Sequence, residues 1–135
     1  MEWHLKITGS ILIALSLLHI IFPAYFNWKK ELHGLSLINR QMMYVHTFFI
    51  ALILLLTGIL CVSSAAALIE TGLGNRLSLG LFIFWFSRLL IQFFGYSLKL
   101  WKGKTTETII HIVFSLLWMY MSSVFLIVYW TNKNS

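Results

Sequence analysis

Residues 82–96, FIFWFSRLLIQFFGY, place one arginine, Arg88, in the middle of an apolar run long enough to cross a bilayer. No acidic residue lies inside this run or any like it in the chain. An arginine at the centre of a membrane helix costs roughly 2.5–3.5 kcal/mol on insertion scales, so a chain that keeps one usually turns it toward the protein interior, a water-filled cavity or an anionic ligand. The run therefore predicts both a membrane helix and a polar site within the protein.

The rest of the chain fits that class. Of its 135 residues, 59% are hydrophobic and only 10% are charged, against about 25% charged in soluble domains. Apolar runs at about 6–26, 44–69, 77–98 and 108–130 are each near or above the roughly 20 residues a helix needs to span the hydrocarbon core. Connections of about 17, 7 and 9 residues leave no room for a soluble domain and make consecutive helices antiparallel. The expected fold is all-α: a polytopic membrane protein forming one domain over residues 1–135, an antiparallel four-helix transmembrane bundle with a short interfacial helix between spans 1 and 2. A secretory leader is not expected from the first run, because it stays apolar to Phe26 and bulky Phe22, Tyr25 and Phe26 stand where a cleavage site would be. The single cysteine, Cys61, excludes an intrachain disulfide and reads as a small apolar filler.

Charge sets an expected orientation. Lys29, Lys30, Arg40, Lys99, Lys102 and Lys104 fall on one side and Lys6, Arg76 and Lys133 on the other, which puts the two longer connections in the cytoplasm and both termini outside a bacterial-type inner membrane. The net charge of +6 then reflects topology and contact with anionic lipid. Nucleic acid is not an expected partner, since no basic patch with interleaved aromatics stands outside the membrane. Trp3, Trp28, Trp101 and Trp130 all fall at span ends, where an amphipathic ring is at home.

Between the spans, Pro23 interrupts the end of the first, and Asn27 is placed to cap a short helix with Trp28, Leu32 and Leu35 on one face. Asn39 is expected to cap the second span, Gly72 and Gly74 to form the next turn, Asn75 to cap the third span, and Thr105 or Thr106 with Glu107 to open the fourth.

Within the spans the polar residues keep to stripes. The third carries Ser78, Trp85, Arg88, Gln92, Gly95 and Lys99, the fourth His111, Ser115, Trp118 and Ser122, the second His46, Thr57 and Ser64, and the first Ser16 and His19. Lipid offers these groups nothing, so the stripes are expected to face one another. With alternating helix directions, His19, His46 and His111 reach the cytoplasmic half, and Gln92 and Tyr96 step toward them from Arg88. One pocket of His19, His46, His111, Arg88, Gln92 and Tyr96 is the expectation, with Arg40 and Gln41 either closing its mouth or serving as a helix cap and an interfacial charge.

Two functions lead, with a transporter or proton relay third because the outer half, with Ile13, Ile59 and Phe82, is too apolar for a water path. Three imidazoles on three helices can bind haem b or a metal ion, with Arg88 or Lys29, Lys30 and Arg40 neutralising propionates; alternatively Arg88 and Gln92 hold a lipophilic anion or a quinone-type oxygen. Against these stands a non-catalytic accessory or assembly subunit, whose stripes only join helices or dock a partner membrane subunit or a second copy of the chain. Histidine geometry discriminates: nitrogens converging on a common point favour a cofactor, whereas histidines spent on carbonyls or serines favour the structural reading. No phosphate loop, hydrolase elbow or metalloprotease histidine pair is present. In size and number of spans alone, the layout resembles small bacterial four-helix membrane proteins such as the DoxX-like group and the CopD-like haem proteins. No motif is shared residue by residue, and no functional residue carries over.

Overall fold

The computed structural model describes residues 1–94 and 105–132. Six helices occupy them: α1 (Glu2–Tyr25), α2 (Trp28–Glu31), α3 (Leu37–Ser63), α4 (Ala65–Glu70), α5 (Gly72–Phe94) and α6 (Thr105–Thr131). Among the described residues there is no strand, and four helices, α1, α3, α5 and α6, are long and apolar enough to cross a membrane. Two compact units divide the chain: Trp3–Ala65, and a second that begins at Ala66 and holds α5 and α6.

Helix ends follow from local chemistry. Pro23 removes a backbone donor in the last turn of α1 rather than breaking it, and the helix runs on to Tyr25. Asn27 stops it by taking the left-handed conformation (φ 54°), which Asn tolerates better than most residues, and it makes no side-chain cap. A short helix does stand between the first two long helices, but as one turn that excludes Leu32 and Leu35. The cap of α3 is Ser36, not Asn39: its Oγ accepts the Asn39 N–H at 3.4 Å, so α3 starts seven residues before the expected span.

At its far end the second long helix instead stops short of the expected bound. Ser64 leaves helical geometry, and residues expected to continue the span form α4 instead. Thr71, rather than Asn75, opens α5, with its Oγ1 accepting from the Gly74 N–H at 2.9 Å. Gly74 is a packing position inside the helix and not a turn. A Cβ there would run into the backbone of Ala67 and Leu68.

In the N-terminal unit, α1 and α3 are antiparallel and approach backbone to backbone. A Cβ on Gly9 would lie 2.6 Å from the Gly58 carbonyl oxygen, and one on Gly58 would lie 2.7 Å from that of Gly9. Two turns along, Ser16 Oγ donates to the Ala51 carbonyl at 2.7 Å. The interior line of α3 is Thr47, Ala51, Leu54, Gly58 and Cys61. The expected stripe of His46, Thr57 and Ser64 is therefore one residue, about 100°, out of phase, and His46 is exposed.

In the C-terminal unit, α5 and α6 are also antiparallel, joined by side chains along their length. Asn75 Nδ2 donates to the Tyr129 carbonyl at 2.8 Å, and Asn132 Nδ2 reaches back to the carbonyls of Leu68 (3.0 Å) and Thr71 (2.8 Å). Val124, Phe125, Val128 and Met121 fill the buried face of α6. The outward faces carry large apolar side chains throughout, among them Phe48, Phe49, Ile53, Ile83, Phe84, Ile109 and Leu116. Such a largely apolar surface suits hydrocarbon better than water.

Candidate functional site

The polar residues of α5 and α6 converge. Trp85, Arg88 and Gln92 lie at i, i+3 and i+7 on α5, and His111 and Trp118 lie at i and i+7 on α6, so one face of each helix presents them to the other. Gln92, buried, is the hub. Its Oε1 accepts from Arg88 Nη1 and from Trp118 Nε1, both at 3.3 Å, and its Nε2 pairs with His111 Nδ1 at 2.8 Å.

The network fixes the chemistry of each end. Two N–H donors on one amide atom identify that atom as the oxygen, so the atom facing His111 is the NH2 group. His111 Nδ1 must therefore accept, and a neutral His111 carries its proton on Nε2. Protonation of Nδ1 would set two donors against each other and break the shortest bond of the cluster.

Aromatic rings enclose the hub. Trp85 and Trp118 stack with centroids 5.2 Å apart, Phe114 stacks on Trp118 at 5.5 Å, and Phe93 meets the His111 ring edge-on at 5.8 Å. The Arg88 guanidinium carbon lies 5.2 Å from the Trp118 ring centroid. Arg88 is half-buried, and a cation–π contact of about 0.5–2 kcal/mol with a charge-assisted hydrogen bond of about 1.5–3 kcal/mol is of the size needed to offset the roughly 2.5–3.5 kcal/mol cost of an arginine at the centre of a membrane helix. Trp85 is 4% exposed, and its Nε1–H has no partner.

The serine hydroxyls of the α5 and α6 stripes are spent locally. Ser78 Oγ donates to Gly74 O, Ser115 to His111 O and Ser122 to Trp118 O, each four residues back on its own helix. His19 and His46, which belong to the N-terminal unit, do likewise: each Nδ1 lies 2.8 Å from a carbonyl of its own helix, Leu15 for His19 and Met42 for His46. Among the described residues, no group of three or more His, Cys, Asp or Glu side chains is placed to hold a metal ion.

Of the expected pocket, the structure thus brings together Arg88, Gln92 and His111. Tyr96 lies outside the described residues. Arg40 is half-buried in the first turns of α3, and Gln41 beside it is exposed. Trp85 and Trp118 belong among the site residues although the expected pocket left them out. Their sequence signal was position: four of the six tryptophans mark span ends, and these two fall mid-span.

Set against protein-family models, curated proteins and solved structures, the chain matches none. What the site does must be argued from its side chains.

Proposed function

We propose that this chain is an integral membrane protein, with both termini outside a bacterial-type cytoplasmic membrane, that works as a non-catalytic accessory or assembly subunit. Its intramembrane polar groups join helices and do not hold a cofactor. The observation that supports this most is the use of Gln92: both acceptor positions of its oxygen are taken by Arg88 and Trp118, and its NH2 group donates to His111. His19 and His46 bond through Nδ1 to carbonyls of their own helices, and among the described residues no group of three or more His, Cys, Asp or Glu side chains is placed to hold a metal ion. A subunit of this kind presents apolar helix faces to lipid and to a larger membrane protein.

The test is an absorption spectrum of the detergent-purified protein, oxidised and dithionite-reduced, with metal analysis of the same sample and native electrophoresis of mildly solubilised membranes. A colourless, metal-free chain migrating in a complex larger than itself is expected. A Soret band, or stoichiometric metal lost in His111→Ala, would overturn the reading.

One observation favours a second reading, in which a lipophilic anion or quinone-type oxygen binds at Arg88 and Gln92. The buried Trp85 N–H, on the same face of α5, has no acceptor. A site for such an oxygen would give saturable quenching of tryptophan fluorescence by an added quinone, lost in Trp85→Phe; unsaturable quenching unaffected by that change would remove it.

A further inference from the structure

The connection between α1 and α3 holds a second cluster that the helix-joining role does not use. Trp28, in α2, is buried, and its ring meets Tyr44 of α3 edge-on at 5.5 Å. Tyr44 stands one turn after Arg40 on the same face of α3, so this contact ties α2 to the turn of α3 that follows Arg40. The neighbours of Trp28 are Lys29 and Lys30, both exposed. Residues 27–43 contain three full positive charges, Lys29, Lys30 and Arg40, against one acid, Glu31. Among the described residues no ion pair joins Glu31 to any of the three. The N-terminus of α3, with its partial positive charge, lies at the same end.

Arg40 carries the decisive detail. Its Nε is shut off from solvent and has no hydrogen-bond partner, although the residue as a whole is only half-buried. An ionised guanidinium with a covered, unpaired N–H is under-satisfied. The planar guanidinium of this half-buried residue is a fork that matches two oxygens of one phosphate, and lysines add point charges to the same group. We infer that Arg40, with Lys29 and Lys30, forms a phosphate-binding site at the membrane surface, suited to the phosphodiester of an anionic phospholipid headgroup, with Trp28 and Tyr44 as its apolar floor. A lipid source rests on the membrane reading above, since the headgroup must lie at the level of α2.

The experiment uses the full chain, purified in detergent. Native mass spectrometry after mixing with phosphatidylglycerol or with phosphatidylcholine measures retained lipid, and a parallel thermal melt measures the effect of inorganic phosphate. Retention of phosphatidylglycerol over phosphatidylcholine assigns the site to a lipid headgroup. A melt raised by inorganic phosphate, with no lipid preference, assigns it to free phosphate. In either arm Arg40→Gln is expected to weaken the response by roughly tenfold, the size of one charge-assisted hydrogen bond. Arg40→Lys, which keeps the charge and loses the fork, should recover only part of it. No response in either arm, or a response that Arg40→Gln leaves intact, would overturn the site. Alkaline carbonate extraction of native membranes tests the membrane reading separately, because a chain stripped by carbonate fails that reading whatever the phosphate arms show.

Discussion

The α1/α3 pair and the α5/α6 pair solve the same problem by different means. Apolar helices in hydrocarbon gain nothing from hiding apolar surface, so close packing or hydrogen bonding must join them. The first pair uses packing: Gly9 and Gly58 let each backbone touch the other, and the bond from Ser16 to the Ala51 carbonyl crosses between the helices. The second pair uses polar clasps: Asn75 near one end, the Gln92 cluster near the other, and Asn132 tying the end of α6 to the α4–α5 connection. Packing of the first kind tolerates no added volume. Clasps of the second kind tolerate volume but not the loss of a partner.

That contrast can be broken most forcefully at Gly58. Gly58→Leu puts a branched side chain where even a Cβ meets the Gly9 carbonyl and Ile13, and should cost about 3 kcal/mol or more in a denaturant titration of the detergent-solubilised protein. Gln92→Leu, similar in size, leaves Arg88, Trp118 and His111 without this shared partner, and should cost about 2 kcal/mol by the same titration. Gln92→Glu keeps acceptors for Arg88 and Trp118 and should lose much less. Asn75→Ala removes one bond to the Tyr129 carbonyl, an effect of about 0.6–1.7 kcal/mol in membrane proteins, seen as a lower melting temperature. His46→Ala, at an exposed residue bonded only within its own turn, should stay within about 0.5 kcal/mol of the parent. Thr8→Val sharpens the comparison from the packing side. Thr8 Oγ1 is buried without a partner, so an apolar replacement of the same shape should leave stability unchanged or raise it.

The four long apolar helices were legible because their signal is length and composition, which no tertiary contact can override. Helix ends were less so. Asn39 and Asn75 had the right chemistry for caps, but Ser36 and Thr71, a few residues earlier, took those places, which freed Asn75 to reach α6. Gly74 looked like turn chemistry because glycine marks left-handed turns and close approaches alike, and only the position of Ala67 and Leu68 separates the two. For the site, the spacing of Arg88 and Gln92 on α5 identified the inward face correctly. On α3 the same reasoning chose the line through His46 over the neighbouring line through Gly58, because small residues leave a weaker sequence mark than polar ones. That the pocket expected to hold both would join His111 directly to Gln92, with Trp118 completing the hub, depended on the α5–α6 register, which no single helix encodes.

The most direct test of the clasp is a double-mutant cycle across Gln92 and His111, using Gln92→Leu, His111→Phe and the double variant in the same denaturant titration. If the two residues hold α5 to α6 through their 2.8 Å bond, the cycle returns a coupling of about 0.6–1.7 kcal/mol. Strict additivity of the two changes would contradict it, and would return Gln92 and His111 to the class of residues that await a ligand.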